Sequence, residues 1–262
     1  MTETRIFAQK LAEETGELLN SHFKLSGTDP KVKADRTVVT QADMAADEFI
    51  RSAIQTAYPD DEILTEETNN LDIDPDKPLW VIDPLDGTTN FSLGIHTWGV
   101  SIARLVAGIP ETAALCFPRH EEVYSAQRGA GAFLNGMAFT VQPLHPNMPT
   151  AFFATCSKSI RRYDLNIQYK FRMLGAVAYD FCLVARGAAL LGFHANPKIW
   201  DIAAGWLVLE EAGGYASLHP QGSPFPYLAH QNAPETPFPV LLAADKQTAV
   251  KYSPAIIKKQ PQ

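Results

Sequence analysis

The residues best suited to chemistry stand in a short loop that follows an apolar run. The run Leu79–Ile82 is typical of a β-strand that stops at a proline, and it delivers two aspartates, Asp83 and Asp86, three residues apart. With a backbone carbonyl between them, these carboxylates offer the hard oxygen ligands that Mg²⁺ prefers. Gly87 lets an anion approach the backbone, and residues 88–90 can begin a helix whose first amides favour a phosphate oxygen. The loop therefore predicts a metal ion and a phosphate held side by side.

A purely structural interpretation of the same loop is the alternative. Asp-Pro-x-Asp-Gly is ordinary turn chemistry, because aspartate and glycine favour turns and proline restricts the backbone angle φ. The pattern is also compatible with a helix cap. A metal site is favoured only if acids from elsewhere in the chain join Asp83 and Asp86.

Acidic residues at three other places could join the loop, and each has a simpler alternative role. Asp43 stands three residues after Thr40, where a capping box at the start of a helix would explain it. Glu66 and Glu67 follow a short apolar strand, a place where charges are usually solvated. Asp201 begins an apolar helix and can be its N-cap. Spacing alone leaves these alternatives open.

Two stretches of the chain resemble the signatures of the inositol monophosphatase family, which are Mg²⁺-dependent, lithium-sensitive phosphatases of small phosphorylated metabolites. The first is the nine-residue string DPLDGTTNF at Asp83–Phe91, which is long enough to be a specific match. The second is Trp200-Asp201, followed by a helix of small residues that ends in Glu-Ala-Gly-Gly at Glu211–Gly214. The resemblance runs from the first helix to Gly214 in the family's order, so it covers most of the chain.

This resemblance implies a role for each acid. The implied ligands of two or three Mg²⁺ ions are Glu66, Asp83, the Leu85 carbonyl, Asp86 and Asp201. Glu67 is expected to hold the metal ligands in place without binding the metal itself. Thr88 and Asp43 are expected to orient and activate the attacking water. The phosphate is expected to contact Gly87, Thr88 and Thr89. Carboxylates about 5 Å apart repel by roughly 3 kcal/mol per pair at an effective dielectric constant of 20, so their convergence would require cations.

The alcohol end of the expected substrate is less well defined than its phosphate end. Seven residues before Asp201, where inositol phosphatases often have a glutamate that binds ring hydroxyls, this chain has His194. We expect His194 and Arg172 to contact the substrate. Arg172, Lys198 or the Arg161-Arg162 pair could bind a second phosphate, with a solvated surface role as the alternative. Candidate substrates are an inositol monophosphate or a related sugar or polyol phosphate, with fructose 1,6-bisphosphate, adenosine 3',5'-bisphosphate and histidinol phosphate as alternatives.

Composition and charge disfavour several other function classes. The 262 residues are 46% hydrophobic and 19% charged, as in a soluble globular protein. The formal net charge of -7 argues against nucleic acid or an anionic membrane as the main partner. The resemblance implies a small phosphorylated metabolite as the partner instead. The three cysteines form no disulfide or zinc pattern and the seven histidines are scattered, so a zinc hydrolase is disfavoured.

Three further expectations concern location, assembly and the alternative class. The first residues show no signal-peptide core and no apolar stretch could span a bilayer, so we expect a cytoplasmic protein. The resemblance also implies a homodimer. A regulatory protein of the same fold, which binds phosphate or metal without turnover, is the alternative to an enzyme. Loss of Thr88 or Asp43 would favour it, and both residues are present.

Hydrophobic periodicity predicts the elements that position these residues. It predicts helices at Thr4–Phe23 and after Thr40, antiparallel strands between residues 98 and 126, and a hairpin turn at Asn135-Gly136. In the tail it predicts one strand, residues 239–244. The resemblance implies a layered α+β/α/β sandwich (αβαβα) of the inositol monophosphatase and fructose-1,6-bisphosphatase type.

This sandwich is expected to have two parts with the site between them. Residues 1–145 form an N-terminal α+β part that carries the metal-binding loop. Residues 146–262 form a smaller C-terminal α/β part that contributes Asp201 and the substrate contacts. The proline-rich stretch 143–149 is the predicted boundary between them.

Overall fold

The structure, a computed structural model, describes residues 2–32, 38–68, 73–142, 148, 150–228 and 236–260. Apart from Met148, the predicted boundary at residues 143–149 lies outside the described residues. Within these ranges the α-helices are α1 (Glu3–His22), α2 (Gln41–Ala57), α3 (Thr88–Ser92), α4 (Ser157–Arg162), α5 (Val177–Ala185), α6 (Ile199–Glu211) and α7 (Lys246–Tyr252). In this part of the chain, no helix has both the length and the apolar character needed to cross a membrane.

In the part of the chain that the structure describes, the strands form two large sheets and two small pairs. The larger sheet contains, in this spatial order, β3 (Glu62–Thr65), β4 (Leu79–Asp86), β5 (Gly99–Val106), β6 (Ile109–Phe117), β7 (Glu122–Gln127), β8 (Gly131–Leu134) and β9 (Met137–Phe139). The second sheet contains β10 (Phe152–Thr155), β12 (Lys170–Arg172), β13 (Leu191–His194), β14 (Tyr215–Leu218) and β15 (Val240–Ala243). The pairs are β1 (Lys31–Val32) with β2 (Val38–Val39), and β11 (Tyr163–Leu165) with β16 (Ile256–Lys258).

Strand directions confirm the predicted meander. From β4 to β9, each strand is antiparallel to the next one, whereas β3 runs parallel to β4. The second sheet has the order β12-β10-β13-β15-β14, with β12, β10 and β13 parallel and the other neighbours antiparallel. Asn135 and Gly136 join β8 to β9 with φ angles of 49° and 77°, as a two-residue hairpin turn requires.

Burial of both faces of the large sheet explains the five-layer architecture. On β4, Trp80 and Ile82 pack with α1 and α2, while Leu79 and Val81 face the core that contains α5 and α6. A strand buried on both faces needs a continuous apolar run, which is what residues 79–82 provide. Helices α5 and α6 also contact the second sheet, whose outer face is covered by α4 and α7. The order is helices, sheet, helices, sheet, helices, which confirms the predicted sandwich.

Strand β4 extends beyond its predicted end at the proline. It continues through Pro84 to Asp86, and its register against β5 shifts between Asp83 and Asp86. Because proline has no backbone N–H, it cannot donate to the ladder, and an irregular stretch of strand accommodates it. Both aspartates are therefore part of the strand end and not of a free loop.

Two other expectations about elements are corrected. Asp201 is the third residue of α6 and not its N-cap, because the N-cap is Lys198, whose backbone N–H donates to the Asp201 carboxylate at 2.6 Å. The tail holds more than the predicted strand, since it also forms β14, α7 and β16. These elements are short and gain their stability from packing and pairing with β15 and β11, which local periodicity does not reveal.

The close approach of α5 and α6 leads to a stability prediction. A Cβ atom at Gly205 would lie 2.7 Å from the Cβ and Cγ atoms of Phe181. In a free helix Gly205→Ala would stabilise by about 1 kcal/mol, but overpacking a core typically costs about 1–3 kcal/mol. We therefore expect a net loss of about 1 kcal/mol in the free energy of unfolding, measured by urea denaturation with an unchanged slope. A gain in stability would show that the two helices can separate without cost.

Candidate active site

The fold brings acids from distant parts of the chain to one edge of the large sheet. Strands β3 and β4 are parallel neighbours, so their carboxyl ends lie together, and the Glu66 backbone N–H donates to the Ile82 carbonyl at 3.2 Å. Helix α6 packs across β4 and β5 and presents Asp201 from its first turn. Carboxylate oxygens of Glu66, Asp83 and Asp201 all lie within 4.8 Å of one another. These three residues are called the acid cluster below.

Asp86 lies beside the acid cluster and is bound by another helix. Its carboxylate accepts hydrogen bonds from the backbone N–H groups of Val177 at 3.2 Å and Ala178 at 2.8 Å, in the first turn of α5. The pocket in front of these acids has a volume of about 280 Å³ and is called the acid pocket below. Its walls are Glu66, Asp83, Leu85, Asp86, Gly87, Thr88, Thr89, Lys158, Gly175 and Asp201. The structure thus unites every predicted metal ligand around one pocket.

Burial and mutual repulsion raise the pKa values of the carboxyl groups. The pKa of Asp83 lies well above its usual range, first because of burial and then because of Glu66, Asp86 and Asp201. Burial and the charge of Asp201 raise the pKa of Asp86 to about 8, although the amides of α5 oppose the shift. Burial raises the pKa of Asp201 to about 6. Such crowding of hard oxygen donors fits a divalent cation of the Mg²⁺ type, which would replace the protons.

These shifts predict an unusual pH dependence for the metal-free protein. The pKa values of Asp83 and Asp86 are higher in the folded state than the ordinary 3.8, so the folded protein keeps protons that the unfolded chain releases. Their contribution to stability is therefore full below about pH 4; that of Asp86 is lost as the pH rises towards about 8, and that of Asp83 as the pH rises through its own raised pKa. We expect Tm to fall by several degrees between pH 5 and 8 in EDTA, and Mg²⁺ to reverse the fall. Equal Tm values with and without Mg²⁺ at pH 8 would contradict this.

Thr88 and Asp43 form the hydrogen-bonded pair that the resemblance implied. The Thr88 hydroxyl lies 3.0 Å from Asp43 Oδ1 and 3.0 Å from the Leu85 carbonyl oxygen. Asp43 Oδ2 accepts hydrogen bonds from the backbone N–H and the hydroxyl of Thr40, which confirms the capping box of α2. The cap and the contact with Thr88 use different oxygens, so the two interpretations of Asp43 are compatible.

Gly87 is required by its backbone conformation at the entrance to α3. Its φ of 91° lies in the left-handed region, and a Cβ atom there would approach the Thr97 carbonyl oxygen at 2.9 Å. A helix does begin at Thr88, as expected, and it ends at Ser92; the first N–H groups of a helix have no partner within it. Gly87, Thr88 and Thr89 all face the acid pocket. Their contact with a phosphate stays a prediction.

A second pocket, of about 370 Å³, adjoins the acid pocket and shares four of its residues. The shared residues are Thr89, Lys158, Gly175 and Asp201. Its walls also include Cys156, Asp180 and His194, and we call it the side pocket. Sequence analysis missed Lys158, Cys156 and Asp180. A signal existed for the first two, because Cys156 and Lys158 directly follow strand β10, and ligands commonly bind at the carboxyl ends of parallel strands.

Three of the predicted site residues are not among the wall residues of the acid pocket. His194 is a wall residue of the side pocket, but only 1% of its side chain is exposed and it is ion-paired with Asp180 at 3.2 Å. Glu67 follows Glu66 and is partly buried. Arg172 is exposed on β12, an edge strand of the second sheet, with its guanidinium over the Phe152 ring. The structure does not bring Arg172 into the walls of either pocket among the residues it describes.

Comparisons with known proteins agree with this geometry. Residues 1–237 match the Inositol monophosphatase family. Nus factor SuhB of Pasteurella multocida is 37% identical over 193 residues, which are 70% of this chain and 72% of that protein. Histidinol-phosphatase of Chlorobaculum parvum is 33% identical over 221 residues, which are 82% of this chain and 85% of that protein.

A solved structure extends the agreement to the fold. The IMPase of Thermotoga maritima superposes with a TM-score of 0.80 at 25% sequence identity, and the match covers 97% of each chain. The sequence match, the shared layers and the converging acids lead to the same conclusion: this chain belongs to the inositol monophosphatase family.

Proposed function

We propose that this protein is a Mg²⁺-dependent phosphomonoesterase that releases phosphate from a small phosphorylated metabolite. The observation that carries the proposal is the acid cluster, in which three carboxylates meet within 4.8 Å beside the Thr88–Asp43 pair. A cluster of this kind is electrostatically unfavourable without cations. A metal-binding site next to a hydrogen-bonded hydroxyl and carboxylate supports hydrolysis better than it supports a structural role.

The donor set fits two or three Mg²⁺ ions. Glu66, Asp83 and Asp201 would hold one ion, and Asp86 with the Leu85 carbonyl would help to hold the others. Bound Mg²⁺ supplies positive charge that activates water and stabilises the charge developing on the phosphoryl and leaving-group oxygens. Glu67, next to Glu66, is proposed to support this ligand from behind.

The chain itself supplies the groups that orient and deprotonate the attacking water. When the Thr88 hydroxyl donates to Asp43, its oxygen lone pairs can accept a hydrogen bond from water and fix its direction. Asp43 is the proton acceptor of the pair, and burial raises its pKa, so it is a better base than an ordinary aspartate. Lys158 stands between the two pockets, where its ammonium would attract the phosphate.

The side pocket is where we propose that the alcohol part of the substrate binds. It adjoins the acid pocket, and His194 forms part of its wall in place of the expected glutamate. An inositol monophosphate or a related sugar or polyol phosphate is the first candidate. Histidinol phosphate is an alternative that the name of the Chlorobaculum parvum relative supports. A bound second phosphate, as in fructose 1,6-bisphosphate or adenosine 3',5'-bisphosphate, would require Arg172 or another exposed cation to approach the pocket.

One assay tests the reaction and the substrate together. The chain is incubated with each of these phosphate esters in Mg²⁺, in EDTA, and in Mg²⁺ with Li⁺, and released phosphate is measured. We expect one or a few esters to be hydrolysed only with Mg²⁺, and Li⁺ to inhibit. Absence of hydrolysis for the whole panel, with Mg²⁺ binding intact, would reject the enzymatic proposal for these substrates.

The names of several relatives favour a second candidate. Proteins 34% to 37% identical to this chain are called Nus factor SuhB, so a factor that acts by binding is the alternative to an enzyme. Retention of Mg²⁺ binding without turnover of any ester would support this alternative.

A homodimer remains part of the proposal because the family commonly forms one, and size-exclusion chromatography coupled to light scattering tests it.

A further inference from the structure

A second group of chemically active side chains lies in the wall of the side pocket. Cys156 follows β10, His194 is the last residue of β13, and Asp180 is on α5. Strands β10 and β13 are parallel, with Thr155 in register with Phe193, so Cys156 and His194 come next to each other at the same sheet edge. The register therefore brings a thiol and an imidazole together, and Asp180 adds a carboxyl group to the same side-pocket wall, which also includes Asp201 of the acid cluster.

The histidine of this group is buried and forms part of the side-pocket wall. His194 and Asp180 are each 1% exposed, and Nε2 of His194 lies 3.2 Å from Oδ2 of Asp180. Within the described part of the chain, neither ring nitrogen of His194 makes a well-directed hydrogen bond. Cys156 and His194 both form part of the side-pocket wall, and the Cys156 Sγ lies 3.2 Å from the Ser159 hydroxyl oxygen. Unlike the histidine, the cysteine is only partly buried.

We propose that Cys156 is a thiol modification site, kept reactive by the buried His194–Asp180 pair and reached by hydroperoxides through the side pocket. A cysteine beside a cationic imidazole that is itself held by a carboxylate is the arrangement that activates thiols in proteins. Here the group has no substrate-cleaving role, because the phosphate chemistry is assigned to the acid pocket. The reactivity of the thiol does not depend on the proposed phosphatase activity.

The pKa values of His194 and Cys156 shift in the directions that this arrangement predicts. Burial by itself lowers the pKa of His194, but contacts with Asp180 and Cys156 outweigh it and raise the pKa to about 10. Burial raises the pKa of Cys156, but contacts with His194 and Ser159 outweigh it and bring the pKa down to about 6. These two shifts favour the imidazolium form of His194 and the thiolate form of Cys156.

The other two cysteines provide an internal contrast. Burial raises the pKa of Cys116 to about 12 and that of Cys182 well above its usual value. Both thiols are buried, whereas Cys156 forms part of a pocket wall. A thiolate-selective reagent is thus expected to modify Cys156 and not Cys116 or Cys182.

The reaction with a hydroperoxide is balanced without a further reactant. The Cys156 thiolate attacks one peroxide oxygen, a sulfur–oxygen bond forms, and the oxygen–oxygen bond breaks. Sulfur is oxidised by two electrons to sulfenic acid, while the peroxide is reduced and leaves as hydroxide or alkoxide, which takes a proton from water. The added oxygen lies in the side pocket, so oxidation would obstruct any molecule that binds beside Asp201 and Lys158.

The test measures the pH dependence of alkylation in the full chain. Iodoacetamide is added between pH 4.5 and 9.5, and the rate at each cysteine is followed by peptide mass spectrometry. We expect labelling at Cys156 with a midpoint near pH 6 and little labelling of Cys116 and Cys182 in the folded protein. Hydrogen peroxide should add one oxygen at Cys156 alone, which dimedone then traps. A Cys156 midpoint at the ordinary value of about 8.5, or labelling that is no faster than at the buried cysteines, would overturn the proposal.

Matched variants test whether the low alkylation midpoint of Cys156 depends on the His194–Asp180 pair or only on the exposure of the thiol. Because His194→Gln alone would leave Asp180 buried without its partner, the informative variant is Asp180→Asn/His194→Gln, which removes both charges. We expect its Cys156 midpoint to rise by about 2 pH units, towards that of an ordinary thiol. Cys116→Ser should leave the Cys156 profile unchanged. If the double variant is folded by circular dichroism and keeps the low midpoint, the pair does not activate the thiol. If the double variant does not fold, the pH profile of Cys156 alkylation in the unaltered chain decides whether the proposal holds.

Discussion

Replacement of Asp83 by asparagine is expected to lower kcat/KM for the hydrolysed ester by about 10³-fold or more, because several kcal/mol of transition-state stabilisation depend on correctly held metal. Asp83 is 2% exposed, and a carboxylate oxygen of it lies within 4.8 Å of those of Glu66 and Asp201 in the acid cluster. An amide is a poorer ligand than a carboxylate and removes one negative charge, so Mg²⁺ affinity should fall as well. Calorimetric titration of Mg²⁺ and steady-state assays measure the two effects.

The same substitution should stabilise the metal-free protein. The charges of Glu66 and Asp201 disfavour ionisation of Asp83, and an asparagine has no charge to be repelled. Its oxygen can still accept the hydrogen bond that the Leu85 N–H donates to Asp83 at 3.0 Å. We expect Tm in EDTA at pH 8 to rise and the further rise on adding Mg²⁺ to shrink.

A remote control makes the Asp83 result specific. Asp76 is exposed in the turn before β4, and Asp76→Asn should change neither Tm nor Mg²⁺ affinity. Full Mg²⁺-dependent activity in Asp83→Asn would remove this residue from the metal site. Loss of activity together with a lower Tm in EDTA would instead mean that the variant is damaged structurally.

The second large effect is expected at the Thr88–Asp43 pair. Thr88→Ala removes the hydroxyl that lies 3.0 Å from Asp43, and we expect turnover to fall by about 10²- to 10⁴-fold, the range typical of a lost general base. Asp43→Asn should have a similar effect. Its amide oxygen is needed by the two Thr40 donors at the helix cap, so its NH₂ group would face Thr88 and could not accept a proton. Mg²⁺ affinity should stay close to that of the unaltered chain, because neither residue belongs to the acid cluster.

A conservative variant distinguishes chemistry from packing. Thr88→Ser keeps the hydroxyl and removes only a methyl group, so it should retain most of the turnover. Thr88→Ala with undiminished turnover would exclude the hydroxyl from the reaction. Equal losses in Thr88→Ser and Thr88→Ala would show that the methyl group, and not the hydroxyl, is what matters.

Local sequence determined the elements whose stability is local. The Thr40–Asp43 capping box, the Asn135-Gly136 turn and the apolar run of β4 each depend on neighbours within a few residues, and all three are present as predicted. The nine-residue string Asp83–Phe91 likewise indicated the family from sequence alone, because a long string of special residues rarely occurs by chance.

Only the tertiary structure decided which acids share a pocket. Spacing could not distinguish Asp201 as a metal ligand from Asp201 as a cap, because both uses place an acid in the first turn of a helix. The packing of α6 against β4 answers this by bringing Asp201 within 4.8 Å of Asp83 and Glu66. Packing also decided the positions of side chains that sequence analysis had misplaced or had not considered.

Arg172, expected at the substrate, lies exposed at the edge of the second sheet, whereas Lys158 forms part of both pockets. Likewise, Cys156 and His194 are 38 residues apart in the chain and meet because β10 and β13 are parallel and in register. Their contact depends on strand pairing, a long-range interaction that leaves no periodic signal in the sequence around either residue. Residue types and short motifs therefore determined what chemistry was available, and the pairing and packing of distant elements decided which residues could perform it together.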